Sequence, residues 1–338
     1  MISESMAAGD LVNHTRVDST HPCYEMNMVS LTLTDSPSSN CVLLHVFLGF
    51  MSAAIVCGNL LVLISIVYFR QLHTPTNFLI LSLAVSDLLV GFLVFPLSTK
   101  FPMNFCMYSR DVFCNLRVTF DLALSTASIL NLCCISIDRY YAVCQPLTYR
   151  TKINTNVIVT MIVVTWSTAV FMTIGFFIAR MSYGKCQENC PFSVGFSNLL
   201  GPVFSFYIPM VTMVCIYLKI FMVAQKQACS IQNTHSQTTK AGTAAGKKGE
   251  GKATRTLAIV MGAFLGCWVP FFLCLQVKVF SSVSVAVATF ESLVWIGLFN
   301  SLLNPLIYAF FYSWFRSAFR LILTGKIFQS DFSNTKLL

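Results

Sequence analysis

Seven stretches of this chain are too apolar, and too poor in charge, to face water. Five run almost free of charge: Cys41 to Phe69, Phe78 to Thr99, Val157 to Ala179, Leu257 to Val277 and Val285 to Phe311. Two more, Val112 to Val143 and Phe196 to Ala224, hold a few charged residues. A helix needs about 20 apolar residues to cross the hydrocarbon core, and each stretch is long enough. The runs are continuous, not alternating, which argues against spanning strands of about 10 residues. Inside lipid the backbone must satisfy its own hydrogen bonds, which leaves the helix. The expected fold class is an all-α membrane protein, a seven-transmembrane helix bundle with a short amphipathic helix after span seven. Only 10% of the 338 residues are charged, against about 25% in soluble domains. A soluble enzyme does not have that arithmetic.

Lys and Arg orient the bundle. With the N-terminus outside, 15 of the 22 basic residues fall on or beside inner segments. They are Arg70, Arg139, Arg150, Lys152, Lys219, Lys226, Lys240, Lys247, Lys248, Lys252, Arg255, Arg316, Arg320, Lys326 and Lys336. The tail before Cys41 carries Glu4, Asp10, Asp18, Glu25 and Asp35 against Arg16 alone. The net charge of +9 is therefore an inner-face excess and not a nucleic-acid surface. The expectation is a multi-pass plasma-membrane protein, N-terminus extracellular and C-terminus cytoplasmic. Asn13-His14-Thr15 is a glycosylation acceptor on the side assigned to the exterior. No short apolar run with a small-residue cleavage site precedes span one, so that span is expected to serve as its own insertion signal.

This divides the chain into an extracellular tail over 1–41, a seven-span domain over 42–311, an amphipathic membrane-surface helix over 312–323 and a cytoplasmic tail over 324–338. Residues 225–253 are polar and Gly/Thr/Lys-rich without periodicity, and are expected to form a flexible cytoplasmic loop. After span seven, Trp314, Phe315, Ala318, Phe319 and Ile322 recur at helical spacing, with Arg316 and Arg320 expected to face lipid phosphates. Of the 14 Cys, those inside spans (Cys57, Cys133, Cys134, Cys215, Cys267, Cys274) are expected to pack as small hydrophobes. Cys23, Cys114, Cys186 and Cys190 face an oxidising exterior, with Cys41 and Cys106 also candidates for disulfides. No Cys and His spacing suits a metal.

An ionisable side chain in lipid is costly and normally faces a partner, a cavity or water. Asp87, Asp121 and Glu291 are therefore the acids of interest. Arg117 stands one turn above Asp121 and could pair with it; otherwise Asp121 calls for a cation from outside. Asp121, Ser125 and Ser128 share one helical face, and Arg139 lies five turns, about 27 Å, further along the same helix. That stripe joins an acid to the Asp138-Arg139 pair at the other end.

The landmarks carry a resemblance. Gly58-Asn59, Leu83-Ala84-Val85-Ser86-Asp87, Asp138-Arg139-Tyr140, Trp166, Pro209, Cys267-Trp268-Val269-Pro270 and Asn304-Pro305-Leu306-Ile307-Tyr308 fall on spans one to seven in order. Together they resemble rhodopsin-type (class A) G-protein-coupled receptors over about Leu43 to Ile322. The run from Lys252 to Leu257, Met261-Gly262-Ala263-Phe264, Trp268-Val269-Pro270-Phe271-Phe272, and Asn300 to Pro305 followed by Tyr308, Tyr312, Trp314 and Phe315, is similar to trace amine-associated receptors.

That resemblance implies a receptor for small amines, serving mostly in olfaction and signalling through stimulatory or olfactory heterotrimeric G proteins to raise cAMP. It implies disulfides Cys114–Cys190 and Cys23–Cys186, with Cys41 competing for the second. Asp121 is implied as the acid for a ligand ammonium, with Leu122, Ser125, Ser205, Trp268, Phe271, Phe272, Glu291, Trp295 and Leu298 around it. The aromatics supply walls and cation–π contacts; ordinary core packing is their other reading. Asp87 with Ser128, Asn300, Ser301 and Asn304 resembles an allosteric sodium site, or else a hydrated polar network. No other cofactor is implied. Arg139, Tyr217 and Tyr308 are implied to rearrange on coupling, with Asp138, Tyr140, Trp268 and Pro305 in the switch and Glu250 holding Arg139 at rest.

Three departures bear on the ligand. Leu298 stands where aminergic receptors often have Tyr. Span five has Gly201 and Pro202 where catechol-binding residues sit, leaving Ser205. Glu291 lies seven residues above Leu298, about 10.5 Å nearer the exterior. Two carboxylates in one cavity suit a diamine such as cadaverine, whereas a solvated acid, or a pair with Lys278, leaves a monoamine (phenylethylamine- or serotonin-like) receptor. A weakly liganded scaffold is the remaining alternative. No span-seven Lys exists for an opsin, and no nucleophile–base pair or catalytic residue points to an enzyme.

Overall fold

The computed structural model describes residues 24–26, 31–33, 39–100, 112–183, 201–235, 244–281, 287–328, 333–334 and 337. Among the described residues, seven helices are long and apolar enough to cross a membrane. Span one is Cys41–Tyr68, span two Pro75–Lys100, span three Val112–Cys144, span four Thr155–Ile178, span five Val203–Lys226, span six Ile259–Val277 and span seven Thr289–Phe311. Spans two, three and seven are the most buried, while one, four and five give most of their surface to the lipid. Exposed Phe47 and Phe50 on span one, Phe171 on span four and Phe221 on span five are such lipid-facing side chains. Span three packs against two, four and five, and more lightly against six.

Backbone irregularities decide how closely the helices approach. Pro305 in span seven has no N–H, so the Ser301 carbonyl four residues back lacks its helical donor. Asn59 Nδ2 supplies one at 3.0 Å, and also donates to Ile55 O at 3.0 Å. Gly58 makes this approach feasible, because a Cβ there would stand 2.9 Å from Pro305. Span two starts on Thr74, whose hydroxyl caps the Asn77 N–H, with Pro75 in the first turn; both are start signals. It then passes through a π-helical turn, Val90–Val94. Ser52 Oγ donates to Gly91 O there at 2.8 Å. Span five opens with a second π turn, Val203–Tyr207. Such turns re-aim the residues beyond them.

Several boundaries differ from expectation. Residues 225–253 were expected to be loop, but helix Ile208–His235 and helix Ala244–Phe280 run into that stretch from both sides. Adding a residue to an existing helix is cheap, and Ala, Gln and Lys favour it. Residues 24–26 and 31–33 form an antiparallel hairpin, with Tyr24 opposite Leu33. The amphipathic helix is Ser313–Leu323, with Phe315 and Ala318 buried. Arg316 Nη1 donates to Phe310 O at 2.8 Å and Ala309 O at 3.3 Å. The last turn of span seven leaves those carbonyls short of donors. Near the end of the chain, Arg70 N donates to Ser333 O and Leu337 packs on Phe69, Leu72 and Ala318.

Cys133, Cys134, Cys267 and Cys274 are partly or fully buried free thiols, while Cys57 and Cys215 are exposed ones on the lipid side. Cys41 and Cys114 are each half of a disulfide. Asn13, Cys23, Cys186 and Cys190 lie outside the described residues, as does the Glu250 side chain.

The Asn59–Ser301 bridge should be a stability determinant. Asn59→Leu leaves a buried carbonyl without its donor, a loss of roughly 1–3 kcal/mol. A melting curve of the purified receptor in detergent should fall measurably, and an unchanged midpoint would contradict that role.

Candidate functional site

The face of span three shared by Asp121, Ser125 and Ser128 connects two polar sites. Ser125 Oγ donates to Asp121 Oδ1 at 3.3 Å. One turn further, Ser128 Oγ donates to Asp87 Oδ1 at 3.2 Å. Asp87 is fully buried. It also accepts from Ser301 Oγ at 2.9 Å and from Asn304 Nδ2 at 2.7 Å. Spans two, three and seven thus converge on one carboxylate. Asn300 is buried beside this set, and the Oδ1 atoms of Asn300 and Asn304 have no hydrogen-bond donor. Hard oxygen donors around an acid, two of them unsatisfied, fit a small cation.

On the other side of Asp121 the surprise is Arg117. It is 2% exposed and among the largest fully buried side chains. Its Nε donates to Ser98 Oγ at 2.8 Å, on span two beyond the π turn. Asp121, and after it Glu291, acts electrostatically on its guanidinium. Arg117 was visible as a local partner for Asp121; its link to Ser98 was not, because it is set by packing between helices. Glu291 itself is half-buried.

Aromatic rings line the span-six side. Phe271 lies 5.2 Å from Phe272, 6.0 Å from Trp268 and 5.3 Å from Phe290, between ring centroids. Phe272 stacks on Phe206 at 3.8 Å, and Tyr207 hydroxyl donates to Phe272 O at 3.2 Å. Trp295 meets Phe95 edge-on at 5.4 Å. Phe120 and Leu124, flanking Asp121, pack with Phe271, Trp295 and buried Leu298. These rings and Asp121 therefore share one end of the bundle. Ser205 is buried and Leu122 half-buried; among the described residues no hydrogen bond joins either to Asp121. Phe206 and Phe290 were missed, since phenylalanines in spans five and seven give no distinguishing signal.

At the opposite end Arg139 is held by its neighbour. Its Nε donates to Asp138 Oδ2 at 2.8 Å, and its Nη2 contacts both Asp138 and Thr76. Asp138, fully buried, also accepts from Thr76 Oγ1 and Tyr149 hydroxyl, each at 2.9 Å. Burial pushes the Tyr149 hydroxyl up from its usual value, keeping it a donor. Thr76 and Tyr149 were not foreseen. Lys219 Nζ sits 5.5 Å over the Tyr140 ring, Tyr308 is buried and Tyr217 half-buried beside Ser136.

With that geometry in place, the comparisons are informative. A profile described as "7 transmembrane receptor (rhodopsin family)" matches residues 58–308. The chain is similar to "Trace amine-associated receptor 1" of Macaca mulatta, 42% identical over 331 residues, covering 92% of this chain and 97% of that protein. "Trace amine-associated receptor 2" of Homo sapiens is 42% identical over 305 residues, 86% of this chain and 85% of that one. "Trace amine-associated receptor 9" of Homo sapiens is 39% identical over 338 residues, covering 96% and 97%.

Gly297 offers a test of the Trp268 position. A Cβ there would lie 2.9 Å from the Trp268 ring, so the buried indole must move or the helices must part. Gly297→Val should cost roughly 1–3 kcal/mol of stability. A melting midpoint equal to that of the parent would show that Trp268 does not pack there.

Proposed function

The chain belongs to the rhodopsin family of seven-transmembrane receptors, and within it to the trace amine-associated receptors, and from that premise we propose that a ligand's ammonium binds Asp121. It is a receptor, not an enzyme, and a multi-pass plasma-membrane protein whose partners are a small amine and a heterotrimeric G protein. The carrying observation is Asp121 itself. It is an acid on the inward face of span three whose one hydrogen bond among the described residues is from Ser125 at 3.3 Å. A charge-assisted bond to a half-buried carboxylate among apolar walls is strong and directional. Trp268, Phe271 and Phe272 then offer faces to the cation and to the rest of the ligand.

The resemblance supports an olfactory role and a stimulatory or olfactory G protein raising cAMP, with the N-terminus outside. Arg139, Tyr217 and Tyr308 act at the coupling end, where leaving Asp138 would free Arg139 for the G protein. Asp87, Ser128, Asn300, Ser301 and Asn304 would hold a sodium ion, which supplies a positive charge that ties spans two, three and seven together. Cys114–Cys190 remains the proposed bridge across the ligand end, with Asn13 as the glycan acceptor.

The diamine reading needs two carboxylates for the ligand. Asp121 and Glu291 carry two negative charges, and Arg117, on which both act electrostatically, carries one positive charge. The remainder is one negative charge, which matches one ammonium. That charge count supports the monoamine reading.

Asp121→Asn keeps the shape and removes the charge. Amine potency in a cAMP reporter should fall at least about 100-fold, as expected for losing one side of a buried charged pair, with surface labelling retained. A panel of monoamines, diamines and catecholamines on the parent receptor should rank monoamines first. A potency unchanged in the variant would dismiss Asp121 as the anchor.

A further inference from the structure

We propose that Leu337 is an internal latch: it docks the segment after the amphipathic helix onto the turn joining spans one and two, in a notch of Phe69, Leu72 and Ala318. While docked it restrains the release of Arg139 from Asp138 and so brakes coupling to the G protein. The inference rests on the reading of Arg139 as the coupling residue.

Arg70–Leu72 is a single 3₁₀ turn whose N-cap is Phe69, a side chain with no oxygen to offer. Its first donors must find acceptors elsewhere. Arg70 N finds one in Ser333 O, at 3.1 Å. In return Gln71 Oε1 accepts the Leu337 N–H at 2.9 Å, and the Tyr68 hydroxyl donates to Ile327 O at 3.4 Å. Beside these bonds the Leu337 side chain, 4% exposed, packs with buried Phe69, Leu72 and Ala318, and Ile327 adjoins the same cluster.

The turn leads directly to the coupling pair. Leu72 O accepts from Asn77 Nδ2 at 2.8 Å and Thr74 caps the Asn77 N–H, which together set the first turn of span two. Thr76 lies in that turn, donates to Asp138 at 2.9 Å and meets Arg139 Nη2. Leu337 therefore braces, through Leu72 and Asn77, the residue that shares Asp138 with Arg139. On its other side Ala318 belongs to helix Ser313–Leu323, whose Phe315 lies 6.2 Å from Tyr308 between ring centroids. A docked Leu337 ties the turn before span two to the helix after span seven. The contact is also small. One leucine side chain and two hydrogen bonds, at Leu337 N and Ser333 O, are set against the freedom of the residues beyond Leu323, and these are terms of similar size. Such a contact opens and closes without unfolding the bundle, and the docked arrangement favours the held Arg139.

The full-length receptor, surface-labelled in cells with a reporter of G-protein dissociation, tests this without any ligand. Leu337→Asp, which puts a charge into the notch, should raise basal coupling per surface receptor at least about fivefold, the low end of ordinary coupling between two sites. Leu337→Met, apolar and of similar volume, should keep the parent level. Gln71→Ala should act in the same direction as Leu337→Asp, and the two together should do no more than Leu337→Asp alone, since both open one latch. A purely structural contact would lower the surface level and leave the basal rate per receptor unmoved. In the purified receptor, amide exchange at residues 70–73 should be faster in Leu337→Asp than in the parent. Unmoved exchange overturns the docking, and faster exchange with an unmoved basal rate overturns the brake. Should Leu337→Asp fail to reach the surface, an unmoved basal rate in Gln71→Ala overturns the inference by itself. An amine response that survives Arg139→Ala overturns the coupling reading and the inference with it, whereas a silent Arg139→Ala beside an unmoved Leu337→Asp overturns the inference alone.

Discussion

The cost of putting a charge where water cannot follow organises this molecule. In lipid an unmatched carboxylate or guanidinium costs several kcal/mol or more, so every ionic group within the bundle must be met by other helices. Asp87 is met by Ser128, Ser301 and Asn304, Asp138 by Arg139, Thr76 and Tyr149, and Arg117 by Ser98, with Asp121 and Glu291 acting on it through space. Each set draws on at least two spans. Since apolar side chains gain little from leaving lipid for one another, such polar sets and close backbone contacts give the bundle its specific register.

Span seven shows the same logic applied to the backbone. Pro305 removes a donor, Asn59 replaces it, and Gly58 lets the two helices approach closely enough for the replacement. The glycines at 58, 91 and 297 stand against Pro305, Ile55 and Trp268 respectively, at distances a methyl group could not tolerate. Small residues therefore mark where helices touch, and the polar sets mark why they touch there.

The seven spans were legible because their signal is local: about 20 apolar residues, repeated, with basic residues gathered on one side. The helix after span seven was equally legible from its spacing, while the role of Arg316 was not, since the unpaired carbonyls it meets belong to another helix. Helix extent over 225–253 was misjudged because leaving the membrane does not oblige a helix to end. In the site, Asp87 and Asp121 announced themselves as acids in apolar runs. Ser98, Thr76 and Tyr149 could not, being ordinary residues for helices and loops whose meaning comes from a partner far away in sequence. Arg117 fell between: the acid four residues away was readable, its hydrogen-bond partner Ser98 on span two was not. The same limit applies to Cys41, a competitor by sequence that is disulfide-bonded in the fold.

Span three joins these observations. One helix carries Arg117, Asp121, Ser125, Ser128, Asp138 and Arg139, and so joins the Asp121 site, the Asp87 set and the Asp138–Arg139 pair. A shared helix is not by itself a signal path; what transmission requires is an element with two arrangements whose balance both ends can bias. The ion pair of Arg139 with Asp138 supplies such an element at one end, because Asp138 keeps Thr76 and Tyr149 as donors if Arg139 departs. In a medium that penalises bare charge, exchange is the lower-barrier way for a buried ionic group to move.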